Sequence, residues 1–414
     1  MRRRGKVKIR KYLALALLML MLGFSLLFGS ILLIRLFYLS IILLVFSYLW
    51  TVLSVRNLKL NSALPPEHLQ VGDEFQREVK ITNNSHMPRL WLKLQDQTDL
   101  GRQDTTIISL SGRNSETWKT NFMCDQRGLY DVGPVSVTAV DPLGIFHKQI
   151  QLGEKQPVLI YPKTVDLPHF KFSSFSDFGY NSGSQSINRI SPNASGIREF
   201  ISGDSLHHMH WQSTLRTGKL MVKMFDADRS YNASKIGWIL LDMNEDSHFG
   251  RGLETTDEQA ITIAASVVQN YLQGGMRVGL IASDQKRSLV VPERGESQLW
   301  QILETLALMK TDWKYTLNDA VNTNLNKLRD NPLVIIIATT TSAGLLETIH
   351  QLRNRVDSVV VILLDVASWK GTPVLSELGR TLALTGAQVY HVFKGDELTK
   401  ALDSKASHLH PVGI

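Results

Sequence analysis

Two apolar stretches near the N-terminus place the strongest constraint on the fold of this chain. They cover residues 12–28 (YLALALLMLMLGFSLLF) and 31–55 (ILLIRLFYLSIILLVFSYLWTVLSV). A membrane-spanning helix needs roughly 20 apolar residues to cross a ~30 Å hydrocarbon core, so together they are too long for one span. They predict a two-helix transmembrane hairpin that turns near Gly29 and Ser30. Arg35 then lies about one turn into the second helix, where its side chain can snorkel to the interface.

The charge distribution predicts how this hairpin is oriented. Residues 1–11 carry seven basic side chains and no acidic one, which accounts for the whole net charge of +7. The positive-inside rule places such a tail in the cytoplasm, where it can contact anionic lipid headgroups. Two spans return the chain to the same side, so we expect the soluble domains at the cytoplasmic face of a bacterial inner membrane. The alternative, a cleaved signal peptide, has a shorter apolar core of ~7–15 residues followed by a small-residue cleavage site.

The neutral remainder of the chain argues against nucleic acid as a partner, because such proteins carry a broad basic surface. We therefore divide the chain into a basic tail with two transmembrane helices (1–56), a β-sandwich-like all-β domain (57–168), a linker with a signature segment (169–233) and an α/β domain (234–414). The linker boundary rests on residues 170–195, which are rich in Ser, Asn and Gly.

Residues 57–168 show the period-2 alternation of short strands. Turn signals containing Gly or Asn separate the apolar runs, as in a sandwich of about seven strands. The predicted strands are 75–82, 90–94, 106–110, 115–122, 135–139 and 157–161. Residues 141–146 (DPLGIF) read as a turn followed by an apolar plug.

Cys124 is the one cysteine of the chain, so no intrachain disulfide can form. A thiol nucleophile needs a base and an orienting group, and no local sequence supplies them. We therefore interpret Cys124 as a small packed hydrophobe.

Residues 234–414 alternate apolar strands with amphipathic helices, which predicts a doubly wound, mostly parallel sheet. No GxGxxG follows the first strand and no GxxxxGK[ST] occurs, so a dinucleotide or P-loop site is disfavoured. The predicted strands are 236–241, 277–282, 332–338, 358–364 and 388–392, and the predicted helices are 257–272, 298–309, 317–328 and 343–355.

The end of the first strand of this domain offers a candidate metal site. Ligands of open α/β sheets bind beyond the carboxyl ends of the strands. Asp242, Asn244 and Asp246 present oxygen atoms at alternate positions there, and Thr316 can join from a second loop. Oxygen ligands suit Mg²⁺ or Ca²⁺. The alternative is that these side chains cap turns and the following helix, as Asx residues commonly do.

Residues 196–229 mix charged, aromatic and small residues without a clean helical or strand period. Their pattern resembles the signature of the "domain of unknown function 58" family. The residues that carry the resemblance are Arg198, Glu199, Phe200, Gly203, Asp204, His210, Trp211, Arg216, Thr217, Gly218, Leu220 and Val222. Further upstream, residues 127–128, 133–134, 141–144 and 161–162 resemble the β region of the same family.

This resemblance implies a von Willebrand factor A-like C-terminal domain on a membrane-anchored protein. It also implies a MoxR-type AAA+ ATPase as partner, often with a transglutaminase-like membrane protein. The implied role is assembly, maturation or envelope maintenance without catalysis, so we expect a non-enzymatic interaction or scaffold protein. The alternative function is a divalent-cation-dependent ligand-binding domain with a degenerate metal site at Asp242.

The chain departs from the patterns that the resemblance implies. The A-domain metal motif has Asp-x-Ser-x-Ser, whereas this chain has Asn244 and Asp246 at the second and third positions. Residues 339–341 offer hydroxyls where an acidic residue is expected. His207 and His208 stand where the family has basic residues, and with His210 they invite a zinc interpretation that lacks further ligands. We instead expect the histidines and Trp211 to pack beneath the α/β domain, with Asp204 and Arg216 making hydrogen bonds.

Overall fold

A computed structural model describes most of the chain. The described residues are 16–24, 27, 31–100, 105–168, 170, 194–199, 209–225, 236–252, 254–328, 332–353, 355–356, 358–370, 378, 381–382, 385 and 387–403. They form two compact units, residues 1–160 and 161–414.

The first unit begins with a long apolar helix. Residues 16–24 are helical, and α1 spans Ile31–Ser54. Among the described residues, α1 is the one helix long and apolar enough to cross a membrane. Its 24 residues correspond to ~36 Å at 1.5 Å per residue. The first predicted span, residues 12–28, lies partly outside the described residues.

Antiparallel strands follow α1, and they pair into three small sheets with the orders β1-β3-β6, β2-β10-β7 and β5-β4-β8-β9. Exposed and buried positions alternate most clearly along β3. The strands are β1 (Leu58–Ser62), β2 (Leu69–Gln70), β3 (Glu74–Asn83), β4 (Arg89–Asp96), β5 (Thr105–Leu110), β6 (Ser115–Met123), β7 (Gly128–Val132), β8 (Val135–Val140), β9 (His147–Leu152) and β10 (Gln156–Tyr161).

Two apolar clusters hold these sheets together. The larger includes Val79 and Ile81 of β3, Leu92 of β4 and Val137 of β8, and Val55 at the end of α1 joins it. The smaller contains Cys124, whose side chain is fully buried. The bounds of the six predicted strands agree with the structure to within two residues, whereas β1, β2, β7 and β9 were not predicted.

The second unit contains a six-stranded sheet in the order β17-β16-β13-β18-β19-β20. All neighbours are parallel except the edge pair β16–β17. The strands are β13 (Ile236–Leu241), β16 (Arg277–Ala282), β17 (Leu289–Glu293), β18 (Leu333–Thr339), β19 (Ser358–Leu364) and β20 (Gln388–Val392). Every side chain of β18 and β19 is buried, as expected for strands covered on both faces.

Helices and short elements complete the second unit. A hairpin of β11 (Ala194–Glu199) and β12 (Met221–Phe225) flanks α2 (Trp211–Thr217), and β14 (Gly250–Arg251) pairs with β15 (Glu254–Thr255). The remaining helices are α3 (Thr256–Gln273), α4 (Glu296–Leu308), α5 (Leu317–Asn324), α6 (Leu345–Leu352), α7 (Val366–Trp369) and α8 (Leu398–Ala401). Side chains of α5 and α6 pack against β13, β18 and β19 in one apolar cluster.

Candidate functional site

Asp242 is a buried carboxylate at the carboxyl end of β13. Its Oδ1 accepts hydrogen bonds from the Asn244 amide at 3.1 Å and the Ser283 hydroxyl at 3.0 Å. Its Oδ2 accepts a hydrogen bond from the Ser342 hydroxyl. Both oxygens therefore have donors from the protein, which offsets the cost of burying the charge.

The topology explains why these residues meet. Strand β13 lies between β16 and β18. The chain first runs from β13 to β16 on one side of it and later forms β18 on the other side. Ser283 directly follows β16, and Ser342 lies three residues after β18. Their hydroxyls also accept hydrogen bonds from the Met243 and Thr339 amides, at 2.8 and 3.0 Å. Asp242 thus occupies the switch point of the sheet, where ligands of open α/β sheets bind.

Further hydroxyls attach the turn after Asp242 to the end of β18. Thr339 and Thr341 donate to the Ser247 carbonyl oxygen at 2.7 and 2.8 Å. Residues 245–247 form a single 3₁₀ turn. The hydroxyls of Thr339, Thr341 and Ser342 therefore serve as structural donors at the position where the resemblance implies an acidic residue.

His248 fixes the other side of the same turn. Its Nε2 lies 2.7 Å from the Asp242 carbonyl oxygen, and its Nδ1 lies 3.0 Å from the Thr256 hydroxyl. A carbonyl oxygen only accepts, so Nε2 carries the proton and, in the neutral ring, Nδ1 accepts from Thr256. The Thr256 hydroxyl in turn accepts from the Phe249 amide at 2.8 Å. This chain of bonds assigns His248 a positioning role.

The four predicted metal ligands have different surroundings. Asn244 is buried, and its side-chain oxygen accepts from the Asp246 amide at 2.8 Å. Asp246 is exposed, with its carboxylate 3.5 Å from the Lys314 ammonium. Thr316 caps α5, since its hydroxyl accepts from the Asp319 amide at 3.2 Å within a capping box.

These contacts show how each predicted ligand is already bonded. Asn244 and Thr316 make the caps that the alternative interpretation expects. A cation beside Asp242 would also compete with the hydroxyl donors of Ser283 and Ser342. Among the described residues no three side chains of His, Cys, Asp or Glu stand together as a metal-binding group. In the present arrangement both hydroxyls donate to the Asp242 carboxylate, and the metal site stays a prediction.

Two large aromatic side chains flank the Asp242 turn at the surface. Trp313 is 49% exposed, and its backbone pairs with Asn244 and accepts from the Glu245 amide at 3.0 Å. Phe249 is 43% exposed and lies 5.0 Å below the Lys370 ammonium. Exposed aromatics on a rigid edge are typical of the centres of protein interfaces.

Ser283, Ser342, His248 and both exposed aromatics were not predicted from the sequence. The serines follow strands β16 and β18, so their position at strand ends was the available signal. Another buried carboxylate, Asp365, follows β19 and was also missed; its Oδ1 accepts from the Ala367 amide at 3.1 Å.

The signature residues fall partly within the described residues. Arg198 and Glu199 lie on β11, whereas Gly203 and Asp204 lie outside the described residues, as do His207 and His208. His210 caps α2, with its Nδ1 accepting from the Ser213 amide at 3.2 Å. Gly218 ends α2 in the left-handed conformation at φ 69°.

The prediction that Trp211 packs beneath the α/β domain is wrong. Its side chain is 63% exposed, and no residue of α2 is buried, Arg216 included. Both large apolar side chains of this seven-residue helix, Trp211 and Leu215, are exposed, and His210 acts as its cap.

Cys124 is fully buried in the first unit. Burial, with smaller contributions from Asp73 and Asp125, raises the pKa of its thiol to about 11. Thiolate is the nucleophilic form, so this thiol is unreactive near neutral pH. The structure thus supports the interpretation of Cys124 as a packed hydrophobe.

Comparison with known proteins agrees with the resemblance of the signature segment. Residues 196–370 match the family described as "Protein of unknown function DUF58". The chain is also similar to the "Uncharacterized protein YeaD" of Bacillus subtilis (strain 168), at 19% identity over 285 residues, which cover 67% of this chain and 69% of that protein.

Similarities to solved structures are slight. A β-glucosidase from Listeria innocua in complex with gluconolactone matches 23% of this chain, with a TM-score of 0.16 and 15% identity, and this chain spans 16% of it. The sporulation control protein Spo0M from Bacillus subtilis matches 26% of this chain and 50% of its own, with a TM-score of 0.17 and 12% identity. Neither similarity carries an argument about function.

Proposed function

We propose that this chain is a membrane-anchored, non-enzymatic interaction protein. It works beside a MoxR-type AAA+ ATPase, and with a transglutaminase-like membrane protein, in assembly, maturation or envelope maintenance. The observation that carries the proposal is the hydrogen bonding of the Asp242 carboxylate. This carboxylate is buried at the switch point, yet hydroxyl and amide donors of the chain itself occupy both of its oxygens.

The anchor in this proposal is the N-terminal hairpin of two helices, with the soluble units in the cytoplasm. Helix α1 supports it, since its length and composition suit a membrane span. The seven basic residues of the N-terminal tail support the cytoplasmic orientation.

The choice of partner rests on the signature segment. Its resemblance to the "domain of unknown function 58" family implies the MoxR-type ATPase, and the family match over residues 196–370 supports that resemblance. We place the ATPase-docking surface at the carboxyl edge of the parallel sheet. Trp313 and Phe249 are exposed there, and the hydrogen bonds around Asp242 hold the turn between them rigid.

Co-purification with the MoxR-type ATPase of the same cell tests the proposal. The full chain in detergent micelles is compared with the double variant Trp313→Ala and Phe249→Ala, which removes both exposed aromatics. We expect the double variant to lose most of the bound ATPase, since buried aromatic anchors at interfaces commonly contribute ~2 kcal/mol or more each.

The matched control is Val291→Ala. Val291 is 60% exposed on edge strand β17, away from the Asp242 turn, and its variant is expected to retain the ATPase. Equal retention by the double variant and the control would overturn this docking surface, and failure of the unchanged chain to bind the ATPase would overturn the partner itself.

The second candidate function is divalent-cation-dependent ligand binding at Asp242. It is favoured by the density of oxygen atoms around this carboxylate, where the hydroxyls of Ser283 and Ser342 already lie within hydrogen-bonding distance. Hard cations prefer such ligands. A cation would need these hydroxyls to turn their lone pairs toward it. Titration calorimetry measures the heat of such cation binding.

A further inference from the structure

The last two turns of α1 pack against the β-strand unit rather than projecting freely from it. The Ser47 hydroxyl donates a hydrogen bond to the buried carboxylate of Asp141. The rings of Tyr48 and Phe146 meet edge to face at a centroid distance of 5.6 Å. Asp141 also accepts from the Phe146 amide at 2.7 Å, so the loop of residues 141–146 is folded tightly around its own carboxylate.

These contacts lie within the part of α1 that is needed to cross a bilayer. Ser47 is sixteen residues after Ile31, or ~24 Å along the helix at 1.5 Å per residue. A hydrocarbon core is ~30 Å thick, so a span that starts at Ile31 ends near Trp50. Tyr48 and Trp50 also mark this level, because aromatic side chains collect at membrane interfaces. The loop 141–146 therefore reaches the depth of the interface.

Strand pairing brings other loops to the same end of the unit. Lys93 of β4 pairs with Thr138 of β8, so the start of β4 lies beside the end of β8. This places Trp91, which is 54% exposed in a bulge at φ 53°, near the loop that carries Leu143. Leu143 is itself 47% exposed. We call residues 56–59, 83–91, 109–114 and 140–147 the helix-end surface.

Hydrogen bonds to backbone carbonyl oxygens join these segments around the end of α1. The Asn84 amide donates to the Asn57 carbonyl oxygen at 3.2 Å, and the Arg113 amide donates to the Ser85 carbonyl oxygen at 2.9 Å. The Arg89 guanidinium donates to the Arg56 carbonyl oxygen at 3.3 Å. The helix-end surface is therefore a connected part of the first unit.

The helix-end surface is positively charged. Arg56, Lys59 and Arg113 are exposed on it. Asp141 is the one carboxylate within its four segments, and it is buried and bonded to Ser47. Exposed apolar tips beside basic side chains suit an anionic lipid interface, because the negatively charged headgroups attract nearby Lys and Arg side chains.

We propose that the helix-end surface is a second membrane contact, in which Trp91 and Leu143 enter the lipid interface while Arg56 and Arg113 pair with anionic headgroups. The proposal rests on the membrane anchoring proposed above. The second contact goes beyond anchoring by α1, because the β-strand unit itself then touches the bilayer surface.

Site-specific fluorescence in lipid nanodiscs tests this contact. Single cysteines replace Trp91, Leu143 or Met123 in the full chain and carry an environment-sensitive nitrobenzoxadiazole label. Cys124 is buried, and the unsubstituted chain treated in parallel measures any label that it takes up. Met123 is the matched control, since it is 53% exposed but pairs with Glu74, at the opposite end of β3 from Asn83. Leu39→Cys on α1 reports insertion of the helix itself.

We expect labels at positions 91 and 143 to shift to shorter emission wavelengths and to be quenched by spin-labelled lipids, whereas the label at 123 stays solvent-like. If position 39 is quenched and positions 91 and 143 behave like 123, the helix-end contact is wrong while the anchor stands. If position 39 is not quenched, the anchor itself is wrong. Circular dichroism verifies that each variant is folded.

The charge component has its own test. Arg56→Glu with Arg113→Glu is expected to reduce the quenching at position 143 in nanodiscs that contain phosphatidylglycerol. Lys155→Glu is the control. Lys155 is exposed and follows β9, at the end of the strand unit opposite to the helix-end surface. Equal quenching in the double variant and the control would overturn the pairing with anionic headgroups.

Discussion

Ser342 donates a hydrogen bond to the carboxylate of Asp242 from a loop 100 residues further along the chain. The two residues follow adjacent parallel strands, so the sheet brings them together despite this separation. Ser283 donates to the same carboxylate from the other side. The three side chains form a buried polar cluster, which we call the closed cluster, at the candidate ligand site.

The first prediction concerns the stability of this cluster. Ser342→Ala leaves Oδ2 of Asp242 buried without this donor, and we expect a loss of about 1–3 kcal/mol in the free energy of unfolding. Urea unfolding of the full chain in detergent micelles measures it. Asp246→Ala in the same turn removes an exposed carboxylate and is expected to change the stability by less than ~0.5 kcal/mol. Equal effects of the two variants would contradict the closed cluster.

The second prediction concerns divalent cations. The hydroxyl donors already satisfy Asp242, so we expect negligible heat when Mg²⁺ or Mn²⁺ is titrated into the full chain. The variant Asp242→Ala is the control and should give the same result. A binding heat that disappears in this variant would instead support the cation-dependent alternative.

The third prediction concerns the pH dependence of Cys124. Its pKa is raised to about 11 from an ordinary value of 9.0, so the folded state favours the protonated thiol. The unfolded chain releases this proton at lower pH, and the contribution of Cys124 to stability is therefore present below pH 9 and is lost between about pH 9 and 11.

Urea unfolding as a function of pH measures this contribution. The difference in stability between the unchanged chain and Cys124→Ala should narrow as the pH rises through that window. Thiol alkylation of the folded chain should also be slow at neutral pH. Rapid alkylation at pH 7 would contradict the burial of this thiol.

The fourth prediction compares the contributions to stability of two ion pairs, made by the neighbouring residues Arg77 and Glu78 of β3. Arg77 and Asp96 are both buried and lie 2.5 Å apart, so Arg77→Met strands a buried charge and should cost about 3–5 kcal/mol. Glu78 pairs with Lys119 on the exposed face at 2.6 Å, and Glu78→Gln should cost ~1 kcal/mol or less because solvent screens the pair. Similar unfolding midpoints for the two variants would contradict this difference.

Local periodicity predicted much of the secondary structure. The expected strand at 75–82 is present as Glu74–Asn83, and the expected helix at 257–272 is present as Thr256–Gln273. Such patterns are readable because burial of one face repeats every 2 or 3.6 residues. The exposure of the Trp211 side chain could not be predicted from periodicity, because it depends on which other parts of the chain pack against that side chain.

Local sequence shows where the chain is apolar enough for a membrane span, the bounds of several strands, and that Asp242 follows the first strand of the α/β segment. It did not indicate edge strand β17, and the helix predicted at 343–355 spans only Leu345–Leu352. What surrounds those residues follows from the tertiary structure. Ser283 and Ser342 reach Asp242 because the strands before them flank β13, and Asp141 reaches Ser47 because β8 ends beside α1. The physical reason is that hydrogen bonding and burial depend on distances in space, which strand order sets and local sequence does not record.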